Sequence, residues 1–241
     1  MSRSENSVGR HLPRAGPVLV MCLCAVFFAS AHASATTIDD FSDKDFSLEV
    51  DCGTTPDCVT QTSVSGVLGG DRDVVLEFIE DGGVLGATAS LTTSYQEVAF
   101  YNNDTNVLSE LTFTYDGMEN FDLTEDGAAF GVEILLTKSD HDASVEVTVT
   151  STAGSSSAST GLADSDDPVS VVLLFSDFSV LSGSGGDFKD VDAISFLFTG
   201  EDALDLGIDE FRQYVPEPLT MLGLFLGLGS VGAYIRRRRM S

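Results

Sequence analysis

Alternation of apolar and polar residues, with a period of two, is the feature that most restricts how this chain can fold. Leu111-Thr112-Phe113-Thr114-Tyr115 and Val145-Glu146-Val147-Thr148-Val149 each put hydrophobes on one side and polar groups on the other, as a strand with one buried face requires. From Thr36 onward helical periodicity is almost absent, and short runs are broken by Gly, Asp, Asn and Ser, which predicts an all-β domain. The expected strands are Ser47 to Val50, Ser63 to Leu68, Asp73 to Glu80, Val84 to Thr92, Gln96 to Tyr101 and Val107 to Tyr115. Ala129 to Thr137, Ser144 to Thr152, Val169 to Phe175, Ala193 to Phe198 and Leu204 to Phe211 follow. About ten or eleven strands at this spacing fit two packed antiparallel sheets, a β-sandwich. Asp81-Gly82-Gly83 reads as a tight hairpin turn. Val171-Val172-Leu173-Leu174-Phe175 is continuously apolar and is expected to be covered on both faces or to lie at the sandwich centre. Ser151 to Gly161, low in complexity, reads as an exposed loop inside one domain.

The two ends carry signals of a different kind. Arg3, Arg10 and Arg14 precede an apolar run from Ala15 to Ala29, and Ala31-His32-Ala33 is a small-x-small site. Residues 1–33 therefore read as a secretory signal peptide cut after Ala33. Cys22 invites a lipoprotein reading, but Met21 before it is too bulky for the small residue such sites carry. At the far end Val215-Pro216-Glu217-Pro218 leads into the apolar stretch Leu219 to Ile235 and then Arg236-Arg237-Arg238-Arg239. As a helix those 17 residues span about 25 Å, slightly short of a hydrocarbon core of about 30 Å, and arginine stems can snorkel to close the difference. The arginines mark a stop with its positive end in the cytoplasm, so the chain before it is expected outside. Gly223 and Gly227 form a G-x-x-x-G spacing, better explained as small residues tolerated in a transient anchor than as a helix-pairing motif. The order of motif, apolar helix and arginine cluster over residues 215–241 resembles the PEP-CTERM sorting signal of exported bacterial proteins. That resemblance implies recognition by an exosortase, a membrane protease-transferase that removes the tail near Pro-Glu-Pro and passes the protein to the cell surface or beyond.

Between the two ends, residues 34–214 form a single expected domain of about 180 residues, long enough for a substantial core. Its cations are Lys44, Arg72, Lys138, Lys189 and Arg212, against 36 acids, a formal charge of −31. Nucleic acid is an improbable partner, because phosphates need Lys and Arg. A salty or calcium-containing exterior would screen the self-repulsion. Cys52 and Cys58 are the two cysteines left after processing, and in an oxidising exterior they read as a small disulfide-closed loop.

The domain opens with Ile38-Asp39-Asp40-Phe41 and closes with Phe175-Ser176-Asp177-Phe178, Asp190-Val191-Asp192-Ala193-Ile194-Ser195-Phe196-Leu197-Phe198 and Leu204-Asp205-Leu206-Gly207-Ile208-Asp209-Glu210-Phe211. This pairing of opening and closing segments resembles the galactose-binding-like jelly rolls, among them several carbohydrate-binding modules, in which the first and last strands pair. The resemblance implies a structural calcium held by acids of those strands, here Asp39, Asp40 and Asp209, with Glu49 a further addition. Calcium takes about six to eight oxygens, and with 36 acids some carboxylates also cluster by chance.

There is no Gly-x-Ser-x-Gly elbow, phosphate loop or His-Glu-x-x-His helix in the domain. His141, in Lys138-Ser139-Asp140-His141-Asp142, reads as a solvated residue on a hairpin turn. No carboxylate pair stands out. The chain has no Trp; Tyr95 and Tyr101, flanking one strand near Asn102, Asn103 and Asp104, are the expected exposed aromatics on which a sugar ring could lie. The leading expectation is a non-enzymatic surface or extracellular-matrix protein that binds polysaccharide. A secreted glycan-active hydrolase and a purely structural biofilm component are the other two.

Overall fold

The period-two pattern becomes pleated strand through most of the domain. The computed structural model describes residues 34–51, 56–80, 88–94 and 97–216. The expected leader, Cys52, Tyr95, Glu217, Pro218 and the apolar tail with Arg236 to Arg239 lie outside the described residues. Among the described residues no helix is long and apolar enough to cross a membrane. Fourteen strands form among them, beginning with β1 (Thr37–Asp39), β2 (Ser47–Asp51), β3 (Asp57–Gln61), β4 (Asp71–Glu80), β5 (Thr88–Ser94), β6 (Val98–Asn103) and β7 (Leu108–Asp116). The second half holds β8 (Gly131–Ser139), β9 (Ala143–Ser151), β10 (Gly154–Leu162), β11 (Val169–Leu174), β12 (Ser179–Gly183), β13 (Val191–Gly200) and β14 (Asp205–Tyr214).

These strands make two antiparallel sheets. The first runs β11-β8-β14-β6-β5-β2, with β1 also on β14, and the second runs β12-β10-β9-β13-β7-β4-β3. β1 pairs Thr37 with Arg212 and Asp39 with Phe211, while β6 covers Asp205 to Ile208 of the same strand. The opening and closing segments therefore pair. The chain changes sheet at one flank between β2 and β3 and at the other between β11 and β12, so consecutive edge strands close each side.

Several expectations are corrected. Ser63 to Leu68 is a series of turns, because Ser63, Gly66, Gly69 and Gly70 have positive φ. Gly69 is required there, since a Cβ would stand 2.4 Å from the Asp116 carbonyl oxygen. β8 and β9 lie in opposite sheets, so the His141 turn does not join a hairpin, and Asp81-Gly82-Gly83 lies outside the described residues. Most of the expected 151–161 loop is β10, paired with β9 from Gly154–Ser151 to Leu162–Ala143. Its serines hid the alternation: Ser156, Ala158 and Leu162 face inward and are buried. Finally, β11 is an edge strand, with Val169 and Leu174 exposed, not the sandwich centre.

The inner faces meet in one hydrophobic core. Phe211 of β14 reaches across from the first sheet to the second. It stacks on Phe196 with ring centroids 4.0 Å apart and meets Phe113 edge-on at 5.5 Å. Phe41 completes the cluster, 5.5 Å from both Phe113 and Phe211. Such pairs add roughly 0.5–1.5 kcal/mol each beyond area burial, and they fix how the two sheets sit on each other.

Candidate functional site

The expected calcium ligands separate. Asp39 is 1% exposed, and its carboxylate is already fully engaged. Oδ2 accepts from Arg72 Nη1 at 2.6 Å and from the Tyr115 hydroxyl at 2.8 Å, and Oδ1 accepts from the Phe41 amide at 2.8 Å. Arg72 is itself fully buried, with Nε on Gln61 Oε1 at 3.0 Å, Nη2 on the Asp43 carbonyl at 3.2 Å and its guanidinium carbon 4.9 Å from the Phe46 ring centre. Burial raises the Asp39 pKa above its ordinary 3.8, opposed by the Arg72 charge, the Phe41 N–H and the Tyr115 hydroxyl. Burial and the Asp39 charge raise Tyr115 well above 10. A guanidinium this close repels a dication, and Asp39, expected as a metal ligand, is half of a buried ion pair with Arg72. Asp40 accepts from the Ser42 amide and hydroxyl. Glu49 is exposed on β2, and Asp209 is half-buried on β14. Among the described residues no group of three or more metal-ligating side chains forms.

The aromatic candidate also moves, by one residue. Tyr101 is fully buried, and its hydroxyl meets the Ser109 carbonyl at 2.8 Å and the Ser109 hydroxyl at 2.6 Å. Burial pushes its pKa to about 12. Ala99, Tyr101 and Asn103 are buried along β6, whereas Phe100 and Asn102 are half-buried. Phe100 belongs to no part of the core cluster, so it stands on the outer face of the first sheet. The run Val98-Ala99-Phe100-Tyr101 is apolar on both phases, so the sequence alone does not rank Phe100 against Tyr101 as the outward ring.

Two rows cross this outer face. One runs Ser47, Thr92, Phe100, Gly207 and the other Glu49, Ser90, Asn102, Asp205. At roughly 4.8 Å per strand each row spans about 14 Å. Gly207, the β14 neighbour of Phe100, is buried, and a Cβ there would fall 2.1 Å from Thr137 Oγ1, a buried hydroxyl without a hydrogen-bond partner. Ser90 and Asn102 make no side-chain hydrogen bond with the described residues, Ser47 and Thr92 hydroxyls are 3.4 Å apart, and Lys138 Nζ lies 3.6 Å from Asp205 Oδ2. The face thus offers one aromatic surface ringed by hydroxyl, amide and carboxylate groups, which suits a ligand with apolar C–H faces and many hydroxyls.

Two recesses lie elsewhere. One of about 420 Å³ on the second sheet is lined by Ser144, Glu146, Thr160 and Leu197 and has no ring. The other, about 450 Å³, includes Phe188 and Lys189, but the Phe188 ring packs 4.7 Å from Phe175. His141 is exposed, and Cys58 is an exposed free thiol among the described residues, with Cys52 outside them. Val215 and Pro216 directly follow β14; the rest of the sorting motif lies outside the described residues.

No family model and no curated protein matches the chain. Solved structures similar to it include the family 11 carbohydrate-binding module from Clostridium thermocellum in complex with a β-1,3-1,4-mixed-linked tetrasaccharide, at 12% identity and a TM-score of 0.39 over 77% of this chain and 98% of that one. The family 30 carbohydrate-binding module of a cellulosomal cellulase of the same organism is similar at 11% identity and a TM-score of 0.42, over 77% and 99%. An agarase matches at 9% identity and a TM-score of 0.39, over 58% of this chain and 22% of the enzyme.

Proposed function

We propose that this is a non-catalytic, exported polysaccharide-binding protein, and that the outer face around Phe100 is where the glycan lies. The observation that carries the reading is Phe100 itself, a half-exposed ring on a sheet face, flanked by Gly207 and by the unengaged Ser90 and Asn102 side chains. A pyranose stacks its C–H face on such a ring, and its hydroxyls reach the surrounding polar groups. Phe100→Ala should lower affinity at least tenfold for a glycan that the intact protein binds, with the fold unchanged by circular dichroism. Equal binding by Phe100→Ala and wild type would remove this face from consideration. A glycan array with no ligand at all would favour a purely structural matrix component.

The proposed route is export, transient anchoring by Leu219 to Ile235, and exosortase processing at Val215-Pro216-Glu217-Pro218, with Arg236 to Arg239 fixing orientation. Mass spectrometry of the surface or released protein should find a C-terminus close to Pro216–Pro218. Recovery of the intact arginine tail in that fraction would exclude it.

A further inference from the structure

We infer that the flank formed by β11 and β12 is a self-association surface, occupied by the same flank of a second copy. Edge strands invite pairing, and proteins commonly guard them with charge. The opposite flank is guarded: β2 carries Glu49 and Asp51, and β3 begins with Asp57. This flank is not. Pro168 to Ser176 and Phe178 to Gly186 contain no charged residue in a domain with 36 acids.

β11 reads Val-Ser-Val-Val-Leu-Leu and pairs with β8 on one side only, without a bulge. Its six residues combine high β-propensity with no charge, Pro or Gly, the composition of segments that pair with themselves. On β12 a bulge lies opposite Ser155 and Ser156, and Val180 and Leu181 are 62% and 58% exposed. Leu174 at the end of β11 and Phe130, just before β8, are exposed too.

Charge selects the occupant. A domain of formal charge −31 repels a second copy over most of its surface, and the uncharged flank is where two copies can meet without like charges at the centre. A two-fold antiparallel meeting of two β11 strands is self-complementary, placing the Val169 end of one beside the Leu174 end of the other. Asp164, Asp166, Asp167 and Asp177 then lie at the rim, so association strengthens with salt, as screening predicts.

The test is sedimentation of the full chain in non-ionic detergent at about 0.05 M and about 0.5 M salt. The expected result is a concentration-dependent species of twice the chain mass, favoured by the higher salt. Val169→Glu with Leu174→Glu, both at exposed positions, should raise the dimer dissociation constant at least tenfold with an unchanged circular dichroism spectrum. Mixing that variant with Val169→Lys/Leu174→Lys should restore a heterodimer, which a folding defect in either variant would not do. A chain monomeric at every salt concentration overturns the inference. So does a dimer that the glutamates leave intact, which places association in another segment such as the apolar tail. A mixed sample that stays monomeric likewise overturns it.

Discussion

Replacing Asp39 by Asn should destabilise this domain more than most single substitutions can. Asn keeps the shape but removes the charge that faces Arg72 at 2.6 Å, with side chains 1% and 0% exposed. Breaking a buried pair by removing one partner costs about 3–5 kcal/mol, because the remaining charge stays buried and uncompensated. The local donors sharpen the estimate. Phe41 N, Arg72 Nη1 and the Tyr115 hydroxyl all donate to the Asp39 carboxylate, and one amide oxygen cannot serve all three, so at least one more donor loses its acceptor. A cost of about 4 kcal/mol would take a large share of the roughly 5–15 kcal/mol that holds a typical domain folded. In urea, with a slope of about 2 kcal/mol per molar, the midpoint should fall by about 2 M without a change of slope.

The double variant Asp39→Leu with Arg72→Met separates net worth from the cost of orphaning. Apolar replacement of a buried pair is often neutral or stabilising, and the Asp43 and Lys44 carbonyls that Arg72 now serves belong to partly exposed residues that water can reach. The double variant should therefore be more stable than either single variant. A cost below about 1 kcal/mol for Asp39→Asn, or a double variant that loses the sum of the single losses, would refute the buried-pair reasoning.

Three further outcomes are expected. Chelation should leave the melting temperature of the protein unchanged, since Asp39 already has a buried cation beside it; a drop of several degrees on adding EDTA would restore a metal to the opening strand. Tyr101, with a folded pKa of about 12 against 10 unfolded, keeps its proton longer when folded, so stability should fall as pH rises above 10, by roughly 3 kcal/mol once past 12. Tyr101→Phe should remove that part of the alkaline loss, and a wild-type phenol that titrates like a free one at 295 nm would contradict it. Gly69→Ala should cost several kcal/mol, because its Cβ would meet a backbone oxygen at 2.4 Å in a left-handed conformation; a change under about 0.5 kcal/mol in denaturant would mean the turn relaxes freely.

How much was legible in the sequence depended on what each residue's size revealed. β7 and β9 were plain, because Phe, Tyr and Val on their inward phase contrast with Thr and Glu outside. β10 was not, since Ser156 and Ala158 sit inward while Ser155, Ser157 and Ser159 sit outward, and small residues carry almost no hydrophobic signal even when buried. β11 failed for the opposite reason. Its apolar residues on both phases look like a central strand, but they sit at an edge with Leu174 exposed, and only the pairing order distinguishes a buried strand from an unguarded one.

The same physics decides the candidate site. Tyr101 and Phe100 are neighbours of similar size, and composition cannot rank them, but in a strand one must face the core if the other faces out. Tyr101 is drawn inward by two hydrogen-bond partners on Ser109, which satisfy a hydroxyl that would otherwise be costly to bury. Phe100 has no polar atom to satisfy and takes the outer position beside Gly207, where water covers part of its ring. An exposed Phe loses hydrophobic stabilisation at no gain to the fold, of the order of 1.5–3 kcal/mol if fully exposed, and Thr92 or Asn102 shows that polar residues are accommodated on that face. The cost of keeping a ring there is offset only when something apolar covers it. That asymmetry makes Phe100 the residue on which a ligand-binding reading of this sheet stands or falls.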